Sequence, residues 1–210
     1  MVIGIIGNEQ HVEECTAKLG THHSFVAQSQ ITDPLLVQAQ VVFDFSEALE
    51  AKSLNMYCQA GATPVFINAV FSTLTGIFAS QKPTRPVFGF CGLPGFFNRE
   101  VVEVSMLASS QRAALNEIGT SLGLKLIQVK DQPGLVTCRV VCMIINEAFE
   151  ALQQGVASKP DIDLSMKLGT NYPLGPFEWA EKIGQANVKK ILNAIVALEG
   201  DLRYTPCVTL

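Results

Sequence analysis

In the stretch FGFCGLPGFFNREVVEV, residues 88–104, Cys91 and Glu103 stand twelve residues apart on either side of a Gly/Pro-rich turn. The pattern is strand, turn, strand, with a thiol at the end of one strand and a carboxylate inside the other. A glutamate in an apolar strand needs a partner or water. A carboxylate close to a thiol disfavours the thiolate, so Cys91 is expected as a neutral thiol, a poor base and a poor nucleophile. Other chemistry-bearing groups are Ser72, a hydroxyl just past the apolar run VFINAV, and Cys138, one helical turn from Cys142. His11, His22 and His23 have no ligand spacing with acids or cysteines, and no metal site is expected.

Two further positions bear on a cofactor. Gly7 ends the apolar run VIGIIG, and Asp44 ends AQVVFDF, 37 residues later. A dinucleotide-binding turn needs G-x-G-x-x-G, so that bare backbone and a helix N-terminus meet the pyrophosphate. Aligned on Gly7, the chain reads Gly7-Asn8-Glu9-Gln10-His11-Val12. Glu9 thus sets a carboxylate where two phosphates would approach, and it also suits a helix N-terminus. The run SFVAQS ends in no acid to hold a ribose, and Asp44 lies farther along than such a residue usually does.

Elements that would position these groups follow from periodicity. VIGIIG, SFVAQS, AQVVFDF, TPVFINAV, RPVFGFC, REVVEVSM and LKLIQV are expected strands. Helical segments fall between several of them, including EALEAKSLNMYCQAG with Ser46 as its cap and QRAALNEIGTSLG started by Ser109 or Ser110. After KDQPG the strands stop. The helix LVTCRVVCMIINEAFEALQQG is apolar around most of its circumference and is expected to be buried. SKPDIDLSMKLG opens on Ser158 with Asp161 three places on, and NYPLGPFEW is expected as a rigid connection between helices. The fold class expected is α/β: a shortened Rossmann-like, mostly parallel sheet in residues 1–130, followed by an all-helical domain in residues 131–210.

Composition narrows the partners. The chain has 210 residues, 48% hydrophobic and 16% charged, with a net charge of −4 and no basic cluster, which argues against nucleic acid. The longest oily stretch, PVFINAVFSTLTGIFA, is sixteen residues long and carries Asn68, Ser72, Thr73 and Thr75, too short and polar for a membrane span. Six scattered cysteines without CxxC pairs, and a first decade without a basic segment, point to free thiols in the cytoplasm.

The second half carries the most specific pattern: D-Q-P-G at 131–134, Arg139, N-E-A at 146–148, G-V-A-S-K-P-D-I-D at 155–163, M-K-L-G at 166–169 and N-Y-P-L-G-P-F-E at 171–178. These residues resemble the C-terminal domain of the 3-hydroxyacyl-CoA dehydrogenase family, with Asn171 where the family has glycine. The resemblance implies an NAD-dependent oxidoreductase of fatty-acid metabolism acting on a 3-hydroxyacyl-CoA, with Gly7 and Asp44 the positions nearest its cofactor and a homodimer formed through the helical domain. Carried over by position, it makes Ser72 the substrate-contacting serine and Glu103 the glutamate that orients a histidine base. The histidine position is Cys91, and the asparagine before the long helix's arginine is Cys138. Between Gly7 and Asp44 the chain is shorter than the family by at least one strand-helix unit. With the base exchanged for a thiol, the resemblance leaves three roles open: an impaired or altered dehydrogenase, a non-catalytic protein that binds an acyl thioester or other small ligand, and a structural dimer module. A reversible disulfide between Cys91 and Cys138 is one expectation of the double exchange.

Overall fold

Short runs of β-branched and aromatic residues become strands, and the polar segments between them become helices that cover the sheet. The structure, a computed structural model, describes residues 1–210 and divides into two units, Met1–Leu135 and Val136–Leu210. In the first unit seven strands form one sheet: β1 (Val2–Ile6), β2 (Ser24–Gln28), β3 (Val41–Asp44), β4 (Val65–Asn68), β5 (Val87–Phe90), β6 (Val101–Met106) and β7 (Lys125–Gln128). Their order is β2-β1-β3-β4-β5-β6-β7. β1 to β5 are mutually parallel, β6 runs antiparallel to β5, and β7 is parallel to β6. A full dinucleotide-binding sheet has two strands outside its first strand. Here β2 alone lies outside β1.

Alternation along the strands divides the core into two layers. One face buries Ile3, Ile5, Phe43, Phe66, Phe88, Phe90, Val102 and Val104, closed by Cys15 and Leu19 of α1 (Glu9–Leu19) and by Leu115 and Ile118 of α5 (Arg112–Ser121). The other buries Ile6, Val42, Val65, Ile67 and Val87 under α2 (Asp33–Gln38), α3 (Ala51–Cys58) and α4 (Leu74–Ile77). Glu103 alternates with Val102 and Val104, so it shares the second face with Ser105.

The helix boundaries differ from expectation at three places. The segment TDPLLVQ forms α2, started by Thr32, whose hydroxyl accepts from Leu35 N–H, with Pro34 in the first turn. Ser46 caps nothing; its own N–H goes to Asp44, and α3 begins only at Ala51. Ser109 and Ser110 lie in a 3-10 turn, and α5 starts at Arg112 without a side-chain cap.

Asp131, just past β7, binds the unit's polar groups together. Its Oδ1 accepts from Leu74 N–H at 2.7 Å and from the Ser105 hydroxyl at 3.4 Å; its Oδ2 accepts from the N–H and hydroxyl of Thr75 at 3.0 and 2.9 Å. The start of α4, strand β6 and the end of the sheet therefore share one carboxylate.

In the second unit α6 (Thr137–Gln153) buries Cys138, Cys142, Ile145, Asn146 and Phe149 along one stripe, while Val140 is half exposed. Asn146 holds the C-terminal segment, donating to Thr205 C=O at 3.1 Å and accepting from Cys207 N–H at 2.7 Å. α7 (Lys159–Thr170) opens on Ser158, which accepts from Asp161 N–H. It ends at Asn171 with φ +56°, a left-handed position that glycine or asparagine takes most easily. NYPLGPFEW is no mere connection, because Pro176 opens α8 (Pro176–Ile183) and Gly184 separates it from α9 (Gln185–Glu199).

The start of α8 locks onto α7. Asp163 Oδ1 accepts from Phe177 N–H at 2.8 Å, Glu178 Oε2 accepts from Gly175 N–H at 2.8 Å, and Lys167 pairs with the other Glu178 oxygen. Lys167 and the Gly175 N–H hold the Glu178 carboxyl below its ordinary pKa. A side chain at Gly175 would place its Cβ 2.3 Å from the Asp163 carboxyl. No helix is long and apolar enough to cross a membrane.

Two stability measurements test these ties. Asp131→Ala should lower the urea-unfolding free energy by about 2 kcal/mol, from lost helix-start bonds and the stranded Ser105 hydroxyl. Gly175→Ala should cost about 1–3 kcal/mol by overpacking against Asp163.

Candidate functional site

In an open α/β sheet, ligands meet the C-terminal ends of the parallel strands, at the point where strand order reverses. Here that point lies between β1 and β3. Gly7 follows β1, Asp44 ends β3, Asn68 ends β4 with Ser72 four residues on, and Cys91 follows β5. The antiparallel register of β5 and β6 pairs Phe88 with Met106 and Gly89 with Ser105. Extended two residues, it sets Cys91 level with Glu103, which is the physical meaning of their spacing.

The surroundings of each residue are specific. Cys91 is buried, and the next N–H, that of Gly92, donates to Asn68 Oδ1 at 3.0 Å. Asn68 was not among the expected site residues; a polar residue closing a buried apolar strand was its signal. Ser72 is half-buried in the turn after β4, and its neighbour Thr73 supplies the α4 cap, accepting from Gly76 N–H at 2.8 Å. Cys138 is buried with its sulfur 3.9 Å from that of Cys142. All six cysteines, Cys91 and Cys138 among them, are free thiols. Cys138 belongs to the helical unit, beside Arg139, whose guanidinium makes a two-point pair with Glu199 and contacts the Tyr204 hydroxyl.

The cofactor positions are already engaged. Asp44 is 1% exposed; its Oδ2 accepts from Tyr57 O–H at 2.6 Å and its Oδ1 from Ser46 N–H at 2.9 Å. Burial and the Asp44 charge push the Tyr57 hydroxyl's pKa up, so it stays a donor. Gly7 N–H donates to Gln28 C=O at 3.1 Å. Asn8 and His11 cap each other: His11 N–H donates to Asn8 Oδ1, and Asn8 N–H donates to His11 Nδ1, both at 3.2 Å. The His11 ring lies 2.5 Å from where a Gly7 side chain would begin, and stacks on Phe45 at 4.4 Å and 14°. The residues present do not fit a nicotinamide dinucleotide, because the expected ligands Gly7 and Asp44 spend their polar atoms inside the protein.

Burial lowers the His11 pKa, with Glu14 opposing it. A histidine held neutral in the fold lets the unfolded chain bind more protons, so stability should fall as pH drops below about 6.5. Protonation also removes the acceptor that Asn8 N–H uses. Urea melts of the protein and of His11→Gln between pH 7.5 and about 5.5 should show a shallower pH slope in the variant.

The comparisons agree with the fold. The family description "3-hydroxyacyl-CoA dehydrogenase, C-terminal domain" matches residues 134–210. 3-Hydroxyadipyl-CoA dehydrogenase of Escherichia coli is 46% identical over 85 residues, 40% of this chain and 18% of that protein. 3-Hydroxybutyryl-CoA dehydrogenase of Clostridioides difficile is 32% identical over 157 residues, 73% of this chain and 56% of that protein. The chain thus spans less than two thirds of these relatives. The solved (S)-3-hydroxybutyryl-CoA dehydrogenase of Ralstonia eutropha superposes with a TM-score of 0.73 at 22% identity, covering 98% of this chain and 90% of that one, which establishes the fold. Residues 134–210 belong to the family of the 3-hydroxyacyl-CoA dehydrogenase C-terminal domain, and the chain has the fold of the Ralstonia enzyme.

Proposed function

We propose that this chain is a 3-hydroxyacyl-CoA dehydrogenase relative with an impaired oxidation step, one that binds acyl thioesters of the 3-hydroxyacyl class without oxidising them. The observation that carries this reading is Cys91, buried just past β5, where the β5–β6 register continued by two residues would bring it opposite Glu103. Oxidising a secondary alcohol requires a base at the hydroxyl as hydride departs, and imidazole has a second nitrogen through which a carboxylate can orient it. A thiol offers one titratable atom and no second handle. Losing the base alone costs about 10²–10⁴-fold in rate. The relatives named for 3-hydroxybutyryl-CoA and 3-hydroxyadipyl-CoA supply the ligand class.

Calorimetry with 3-hydroxybutyryl-CoA tests the reading. Saturable binding without NADH formation is expected. Brisk NAD-dependent oxidation that disappears in Cys91→Ala would sink it.

A second role rests on the helical unit, and this role is assembly into a homodimer. α7 buries none of its twelve residues, and Leu164 and Leu168 are 52% and 77% exposed. A groove of about 500 Å³ between α6 and α7 is lined by Val140, Met143, Ile144, Ile162 and Met166. An apolar surface of this kind calls for cover, and a second copy offers the same surface in return. Sedimentation should give a dimer for the protein and a monomer for Leu164→Lys/Leu168→Lys.

A further inference from the structure

We infer that the nucleotide crevice of this chain is closed from within, with the His11 ring held in the place a pyrophosphate needs, so that the protein binds no dinucleotide. A pyrophosphate in such a crevice lies against the glycine after the first strand and takes hydrogen bonds from the backbone at the start of the following helix. It needs bare backbone and open space there. The His11 ring removes both. It fills the space over Gly7, lies flat on Phe45 just beyond β3, and so spans the gap between the two strands where their order reverses.

The donors are consumed together with the space. Gly7 N–H serves Gln28, Asn8 N–H serves the ring, and the N–H of His11 serves Asn8. Glu9, in the first turn of α1 and exposed, adds a negative charge where an anion would approach. On the ribose side β2 is the outermost strand, and the Asp44 carboxylate is taken by Tyr57 and Ser46.

The helix that carries the ring is also tied down. Glu14 accepts from Gly95 N–H at 3.2 Å and from Asn98 N–H at 2.9 Å, and Lys18 donates to the carbonyls of Arg99 and Glu100. α1 is therefore fastened to the turn after Cys91, and the ring cannot leave by a shift of the helix without breaking those bonds. This inference concerns the nucleotide subsite alone and stands whether or not an acyl thioester binds.

Titration of the protein with NADH, followed by fluorescence, and with ADP, followed by calorimetry, provides the test. The protein should show no saturation at millimolar ligand. Glu9→Gly/His11→Ala, shown to be folded by circular dichroism, should bind ADP at least about tenfold more tightly, and His11→Phe, which keeps a ring over Gly7, should remain closed. Micromolar NADH binding by the unaltered protein would overturn the inference. So would a folded double variant that binds ADP no better than the parent, or ADP binding by His11→Phe.

Discussion

Backbone donors at the C-terminal edge of a parallel sheet have to be satisfied, and everything about this site depends on what satisfies them. In a ligand-binding sheet the partner is often the ligand. In this chain the partners are its own atoms: Gln28 for Gly7, His11 for Asn8, Asp44 for Ser46 and Asn68 for Gly92. A buried polar group without a partner costs roughly 1–3 kcal/mol, so a sheet edge closed in this way is stable without any bound molecule. An incoming ligand would have to replace existing bonds one for one.

The helical unit follows a different logic. Its most specific sequence pattern, D-I-D-x-x-x-K followed by G-P-F-E, is one interlocking device. Asp163 and Lys167 on α7 take hold of Phe177 and Glu178 at the start of α8, and Gly175 is the residue small enough to let Asp163 pass. Phe177 then packs on Phe149 of α6. Each residue of the pattern is required by a neighbour, and this explains why the pattern is so specific in the sequence.

That contrast also explains what could be read from the sequence. All seven strands were legible, because each is a short apolar run between turn residues. The helix at Asp33–Gln38 was missed, although Thr32-Asp33-Pro34 is a recognisable helix start, because a six-residue helix shows too little periodicity. Asp44 was legible as an acid at a strand end, but its capture by Tyr57, thirteen residues on, depends on how α3 packs over the sheet, which no local pattern encodes. His11 was visible as a histidine near a helix start. Its stacking on Phe45, 34 residues away, is purely tertiary.

The two cysteines mark the limit of local reading most clearly. Cys91 inherits its environment from the sheet: it is buried just past β5, next to the Gly92 N–H that Asn68 holds. Cys138 inherits its own from a helix, one turn from Cys142 and beside an arginine committed to Glu199 and Tyr204. In both places the side chain is a small, weakly polar thiol whose position is set by the backbone around it. Backbone position is maintained by packing spread over many residues, whereas reactivity rests on one or two atoms. A scaffold can therefore keep its shape whatever those atoms are, and in this chain the sheet edge turns its backbone donors inward.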